Sequence, residues 1–175
     1  MDIFGSFALV LALLAAGYAF VAGIIGIRTR RPLLIKSARN AGMATFPLVT
    51  IGVACLVSLF FLNDYSMAYV AEHSNRALPI FYKFAALWAG QEGSMLFWSW
   101  LLSIYAFIAL FANRKKHPEL MPFVGVILAG VQLYFLILNN FVTSPFSLVG
   151  AVGAGGLTHV TTLADGNGLT PLLQY

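Results

Sequence analysis

The chain has 175 residues, of which 60% are hydrophobic and 9% charged, with a formal net charge of +4. A soluble domain carries about a quarter charged residues, and six acids with ten bases cannot cover a soluble surface of this size. These figures exclude water-soluble, disordered, collagen-like and disulfide-rich classes, and they define an integral membrane protein.

Four stretches hold no charge: residues 3–27, 40–63, 93–113 and 120–164. A helix needs about 20 apolar residues to cross the hydrocarbon. The first three stretches hold one span each. The fourth loses apolar density after Val142, where Thr143-Ser144-Pro145 and a Gly-rich segment follow, so it holds one span at about 120–141 and a tail. Continuous apolar runs without period-two alternation indicate helices rather than barrel strands. The expected fold is all-α: a polytopic membrane protein whose residues 1–142 form a domain of four transmembrane helices. An outer loop occupies 63–93, and an outward-facing Gly-rich tail occupies 143–175. Gly153, Gly155 and Gly156 neither follow a strand nor open a helix and read as flexible.

Asp2 precedes span one, which is the wrong sign for a secretory signal. Arg28, Arg30, Arg31, Lys36 and Arg39 follow span one, and Arg114, Lys115 and Lys116 follow span three. The positive-inside rule places both clusters in the cytoplasm and both termini outside. Orientation and contact with anionic membrane lipid account for the basic excess, which gives no reason to expect a nucleic-acid partner.

Span one is rich in small residues, among them Gly17, Ala19, Ala22, Gly23 and Gly26. Their spacing allows close helix approach, although such residues are also simply common in membrane helices. Cys55 in span two reads as a small buried apolar residue, and Pro47 is expected to kink that span. Gln132 lies in mid-span four and is expected to face protein, because an unpaired amide in lipid is costly. Asn139 and Asn140 follow near the outer end.

The outer loop carries most of the outward ionisable residues. Pro79 suits the first turn of a helix, with Ser74 or Asn75 as caps. Phe81, Phe84 and Trp88 then recur at helical spacing, which predicts a short interfacial helix. Continued, that helix puts Glu92 on the same face, unless Gly90 and Gly93 break it. Trp88, Trp98 and Trp100 form either an interfacial aromatic belt or a wall for a flat conjugated ligand. Glu92 reads as a functional acid at membrane depth, as a partner of Lys83 or Arg76, or as a headgroup-level charge. His73 reads as a solvated loop residue or as a ligand. His117 is incidental, and nothing brings His73 to His159 in the tail. No nucleophile arrangement, phosphate loop, zinc spacing or C-x-x-C-H motif is present.

Several stretches together resemble the N-terminal region of the cytochrome c-type biogenesis protein CcmF family of haem lyases. Asp64-Tyr65-Ser66, Tyr69-Val70-Ala71 and His73-Ser74-Asn75 come first, followed by Leu78-Pro79 and Tyr82-Lys83. Trp88-Ala89-Gly90-Gln91-Glu92-Gly93-Ser94-Met95-Leu96-Phe97-Trp98 is similar to the family's W-G-x-H-E-G-S-x-L-x-W. Asp165-Gly166-Asn167-Gly168-Leu169-Thr170-Pro171-Leu172-Leu173-Gln174 is similar to its D-G-x-G-L-N-P-L-L-Q. Gln91 stands where the family has His, and Thr170 where it has Asn.

The resemblance implies a part of a cytochrome c maturation system in the bacterial inner membrane, presenting haem on the outer face for attachment to apocytochrome c. It implies Trp88, Gly90, Glu92, Gly93, Ser94, Trp98, Tyr65, Tyr69 and His73 as residues of a haem platform, supported by Ser66 and Asn75, with no metal site of the chain's own. It implies other maturation proteins, a haem chaperone and the family's C-terminal part as partners. The family's tryptophan-rich segment and axial histidines fall after Tyr175, so the chain corresponds to the first four spans. Two other readings stand beside this one. One is a structural assembly subunit without a haem site. The other is a small transporter with Glu92 and Gln132 along a polar path.

Overall fold

The computed structural model describes residues 2–113, 117–152, 158–160 and 165–168. In chain order they form α1 (Asp2–Thr29), α2 (Pro32–Leu62), α3 (Ala68–His73), α4 (Ile80–Ala85), a 3-10 turn (Ala86–Trp88), α5 (Gln91–Ala112) and α6 (Met121–Ile137). A π-helical turn (Leu138–Val142) extends α6, and the strands β1 (Gly150–Val152) and β2 (Thr158–Val160) follow. Among the described residues, α1, α2, α5 and α6 with its π-turn are the four helices long and apolar enough to cross a membrane. The chain is thus a mostly helical, multi-pass membrane protein.

Helix α1 packs along α2 and α6, α2 packs against α5, and α5 against α6. Helix α1 turns its small residues inward, with Gly5, Ala8, Ala12, Ala16, Ala19, Ala22, Gly23 and Gly26 buried. Leu9 is also buried, while large residues such as Phe4, Phe7, Leu14 and Val21 are exposed. In lipid, apolar burial does not drive helices together, so close backbone approach must supply the attraction. The approach is tight: a Cβ on Gly23 would lie 2.6 Å from Val126 Cγ2, and one on Gly26 would lie 3.1 Å from the Ile35 backbone nitrogen.

The connection from α1 to α2 is shorter than the sequence suggests. Arg30 takes the left-handed conformation (φ 54), Arg31 N donates to Gly26 O at 3.1 Å, and Pro32 opens α2. Lys36 and Arg39 therefore belong to the first turns of a helix, not to a loop. Helix α2 also continues through Pro47. Here Thr45 Oγ1 and Thr50 Oγ1 each donate to a backbone carbonyl, Gly42 and Phe46, at 2.7 Å.

Polar side chains fasten α6 to its neighbours. Gln132, 1% exposed, donates from Nε2 to Ser99 Oγ at 3.0 Å and to Ser99 O at 3.3 Å. Asn139 Nδ2 reaches Met95 O on α5 at 3.4 Å and Asn140 Nδ2 reaches Leu9 O on α1 at 3.4 Å. The expectation that Gln132 faces protein is met.

Opposite the basic end, the segments between α2 and α5 fold into a cap continuous with the helix core. Tyr65, Met67, Tyr69, Val70 and Leu87 share one buried cluster with Leu9, Leu56, Leu59 and Phe60 of α1 and α2. After α6 the chain returns across this cap. Ala68 N donates to Ser147 O and Val149 N to Ser66 O, both at 2.9 Å. The tail, read as flexible, contains a short antiparallel pair, with Ala151 opposite His159.

Candidate functional site in the aromatic cap

Two aromatic groups define the cap, one buried and one exposed. Tyr69 is the buried anchor, 2% exposed. Its hydroxyl proton is shared between the carbonyls of Ala86 (3.0 Å) and Leu87 (3.2 Å), and its oxygen accepts the Gly90 N–H at 3.1 Å. Burial pushes this hydroxyl up to about 12, so it remains a donor. Tyr69 thereby ties α3 to the turn that delivers Trp88 and starts α5.

Gly90 and Gly93 are small because Tyr69 and its neighbours leave no room. A Cβ on Gly93 would lie 1.9 Å from Leu87 O and 2.3 Å from the Tyr69 hydroxyl, and one on Gly90 would lie 2.6 Å from His73 Nε2. His73 Nδ1 sits 3.0 Å from Tyr69 O, and the two rings lie 4.5 Å apart. A carbonyl accepts only, so Nδ1 donates to it, and Nε2 is the ring nitrogen beside Gly90.

The exposed group is Trp88 and Trp98, with the half-buried Phe97 between them and the core. Trp88 and Trp98 are 45% and 59% exposed, and the Trp88 and Phe97 ring centroids are 5.5 Å apart. With Ser94 they line an open concavity of about 320 Å³. Ser94 Oγ donates to Trp88 O at 3.0 Å, which fixes the tryptophan backbone against the first turn of α5. Trp100, the third tryptophan, turns inward and donates from Nε1 to Thr50 Oγ1 on α2 at 2.9 Å.

The helix beginning at Pro79 is found, but it does not reach Glu92. It tightens to a 3-10 turn at Ala86–Trp88, and Gly90 in an extended conformation caps the separate helix α5. Glu92 sits in the first turn of α5, where the helix dipole favours an anion. Lys83, proposed as its partner, is 8% exposed and donates instead to Asn63 Oδ1 at 2.5 Å.

The contact between the His73-Ser74-Asn75 stretch and Asp165-Gly166-Asn167-Gly168 was not foreseen. Asn167 N donates to Ala71 O at 2.7 Å and Gly168 N to Ser74 O at 3.1 Å. Arg76 N donates to Asp165 Oδ1 at 3.0 Å. Tyr65, 3% exposed, lies beneath this junction; burial, and then the nearby Asp165 carboxylate, raise its hydroxyl pKa. The only available signal was that both stretches resemble one family. The side chain of His159 and residues 169–175, including Thr170, lie outside the described residues.

The backbone N–H groups of Arg76 and Gly166 hold the Asp165 carboxyl below its ordinary range. A pKa lowered on folding stabilises the junction above the ordinary carboxylate pKa, and the contribution disappears as pH falls through the lowered value. Hydrogen exchange at the Arg76 amide is therefore expected to speed up on acidification, after correction for intrinsic exchange. An Asp165→Asn protein should show fast exchange at neutral pH with no such transition.

A transmembrane helical bundle with an aromatic cap at the end opposite its basic residues is the class of protein these features define. Of known proteins, the chain is similar to cytochrome c-type biogenesis proteins. It is 34% identical over 175 residues to CcmF of Pseudomonas aeruginosa. It is 32% identical over 174 residues to NrfE of Haemophilus influenzae, and 29% identical over 170 residues to CcmF of the same organism. Each alignment covers 97% of this chain and 24–25% of the relative. A solved structure named cytochrome c heme lyase CcmF superposes with a TM-score of 0.76 at 23% identity, over 83% of this chain and 24% of that one. No protein-family model matches. The chain resembles the N-terminal part of these CcmF-type proteins and spans about a quarter of the length of the curated relatives it matches.

Proposed function

We propose that this chain forms the N-terminal portion of a haem lyase. In this reading it lies in the bacterial inner membrane with both termini and the cap on the outer side, and α4 lies along that surface. Haem is the cargo, presented there for covalent attachment to apocytochrome c. The observation that carries the reading is the exposed wall of Trp88 and Trp98, backed by the half-buried Phe97, on a cap whose Tyr65, Tyr69 and Gly93 are buried beneath it. A flat, apolar macrocycle needs such a wall, and rigid aromatic side chains lose little conformational freedom on binding it.

The roles divide by exposure. Trp88, Trp98 and Ser94 line the concavity, and Glu92 lies in the first turn of α5, the helix that carries Ser94 and Trp98. Tyr65, Tyr69, Gly90 and Gly93 shape it from beneath, with Ser66 and Asn75 at the edges. His73 offers one imidazole nitrogen, oriented by the Tyr69 carbonyl in the manner of a metal-ligating histidine. Among the described residues no group of three His, Cys, Asp or Glu converges to hold a metal. The residues present fit the macrocycle's face, whereas the iron would take its axial ligands elsewhere, from the family's C-terminal part. A haem chaperone and other maturation proteins would supply and receive the cargo.

Replacing both Trp88 and Trp98 by alanine in the full-length protein is expected to weaken haem retention roughly tenfold, since each stacking contact contributes about 0.5–1.5 kcal/mol beyond burial. The checks are the haem absorbance of the purified protein and covalent-haem staining of total membrane protein. Unchanged retention by a folded double variant would favour the structural-subunit reading. An impermeant thiol reagent should reach a Phe81→Cys probe from outside the cell only; labelling from the cytosolic side would reverse the orientation.

A further inference from the structure

We propose that the end of the bundle opposite the cap binds one anionic phospholipid, with its phosphate on Arg39 and part of an acyl chain between the helices. A cavity of about 110 Å³ lies there, with a lining that includes Ala19, Gly23, Ala38, Gly42, Gly125 and Leu110. It is open because α1, α2 and α6 all contribute small side chains at this level. Arg39 also lines the cavity, and its Nε is buried without a hydrogen-bond partner. A guanidinium so placed lacks the planar acceptor that its fork geometry suits, and a phosphate diester supplies one.

Charge and position select the ligand. By sequence, this end carries eight of the ten basic residues and a single acid, Glu119, which is exposed. Its field attracts anions, and basic pockets between transmembrane helices suit lipid headgroups. The remaining lining is apolar, which suits a hydrocarbon chain and offers a free inorganic anion nothing beyond Arg39. Beyond Gly42, Leu110 and Gly125 the space narrows to about 10 Å³ beside Thr45 and Gln132. There the Gln132 Oε1 has no partner, so the deep end is polar and an acyl chain stops short of it.

The test uses the full-length protein in nanodiscs of equal parts phosphatidylglycerol and phosphatidylcholine, followed by mild detergent extraction and native mass spectrometry. One phosphatidylglycerol is expected to remain bound in preference to phosphatidylcholine. Arg39→Gln should lower its retention about fivefold, the effect of one basic contact at a lipid headgroup. Gly125→Leu keeps the arginine but fills the cavity, and should lower retention comparably. A Cβ at Gly125 would meet only Leu110 Cδ2, at 3.5 Å, so this second variant does not depend on losing a charge. Arg30, exposed at the same end, serves as control, and Arg30→Gln should retain the lipid. Equal retention of both lipids would overturn the proposal. So would an Arg30→Gln loss as large as that of Arg39→Gln with Gly125→Leu unchanged.

Discussion

Gly93→Ala is expected to destabilise the aromatic cap by about 1–3 kcal/mol, the usual range for overpacking a filled core. The added methyl would sit 1.9 Å from Leu87 O and 2.3 Å from the Tyr69 hydroxyl. Neither neighbour can yield alone. Leu87 O is backbone, and the Tyr69 hydroxyl is already engaged by Ala86, Leu87 and Gly90. The start of α5 must therefore move away from α3, and Trp88 moves with it. Hydrogen exchange of the full-length protein should show the amides of Gly90 and of residues 69–73 losing protection by roughly fivefold to 150-fold. Gly17→Ala is the contrast, since its methyl would meet only Leu133 Cδ1 at 3.8 Å; exchange there should be unchanged or slower. Unchanged protection in Gly93→Ala would show that this junction is not rigid. In the proposed haem lyase the same variant should also weaken haem retention without removing any aromatic ring.

Gly166→Ala is expected to detach the tail from the cap. Its Cβ would lie 2.0 Å from Ser74 O and 2.8 Å from Ala71 O. Those two carbonyls accept the Gly168 and Asn167 N–H groups, so the methyl occupies the space through which the two segments dock. Gly168 follows with φ +76, a conformation that favours glycine. Loss of this junction leaves the carbonyls of Ala71 and Ser74 without protein partners, at about 1–3 kcal/mol for each that stays buried. Limited proteolysis should cut the variant after Arg76, at a bond the parent protects. A variant cut no faster than the parent would mean that the tail holds by other contacts.

These two glycines also mark where sequence reasoning ends. The four spans were legible from charge gaps alone, because lipid imposes one length and one polarity on any helix that crosses it. The inward placement of Gln132 was legible for the same reason. The extent of α2 was not: Lys36 and Arg39 look like loop residues, yet Pro32 starts the helix and their long stems allow charged heads at a helix end. The break before Glu92 was readable only as a possibility, from Gly90 and Gly93. The structure supplies its cause in Tyr69, whose hydroxyl holds the 3-10 turn and the Gly90 N–H together.

The sequence by itself determined that this is a four-span membrane protein with one basic end and one aromatic end, and its motifs pointed to the CcmF family. Those properties are local: each depends on composition within a window about as long as the membrane is thick. The tertiary structure alone decided which motif residues face outward and which are packed beneath. Trp88 and Trp98 are exposed while Tyr65 and Tyr69 are buried, and Asp165–Gly168 closes over His73–Arg76. That sorting depends on hydrogen bonds between segments 17 to 21 residues apart around Tyr69 and 89 or more apart at the tail junction, and no periodicity or composition encodes which distant groups will meet.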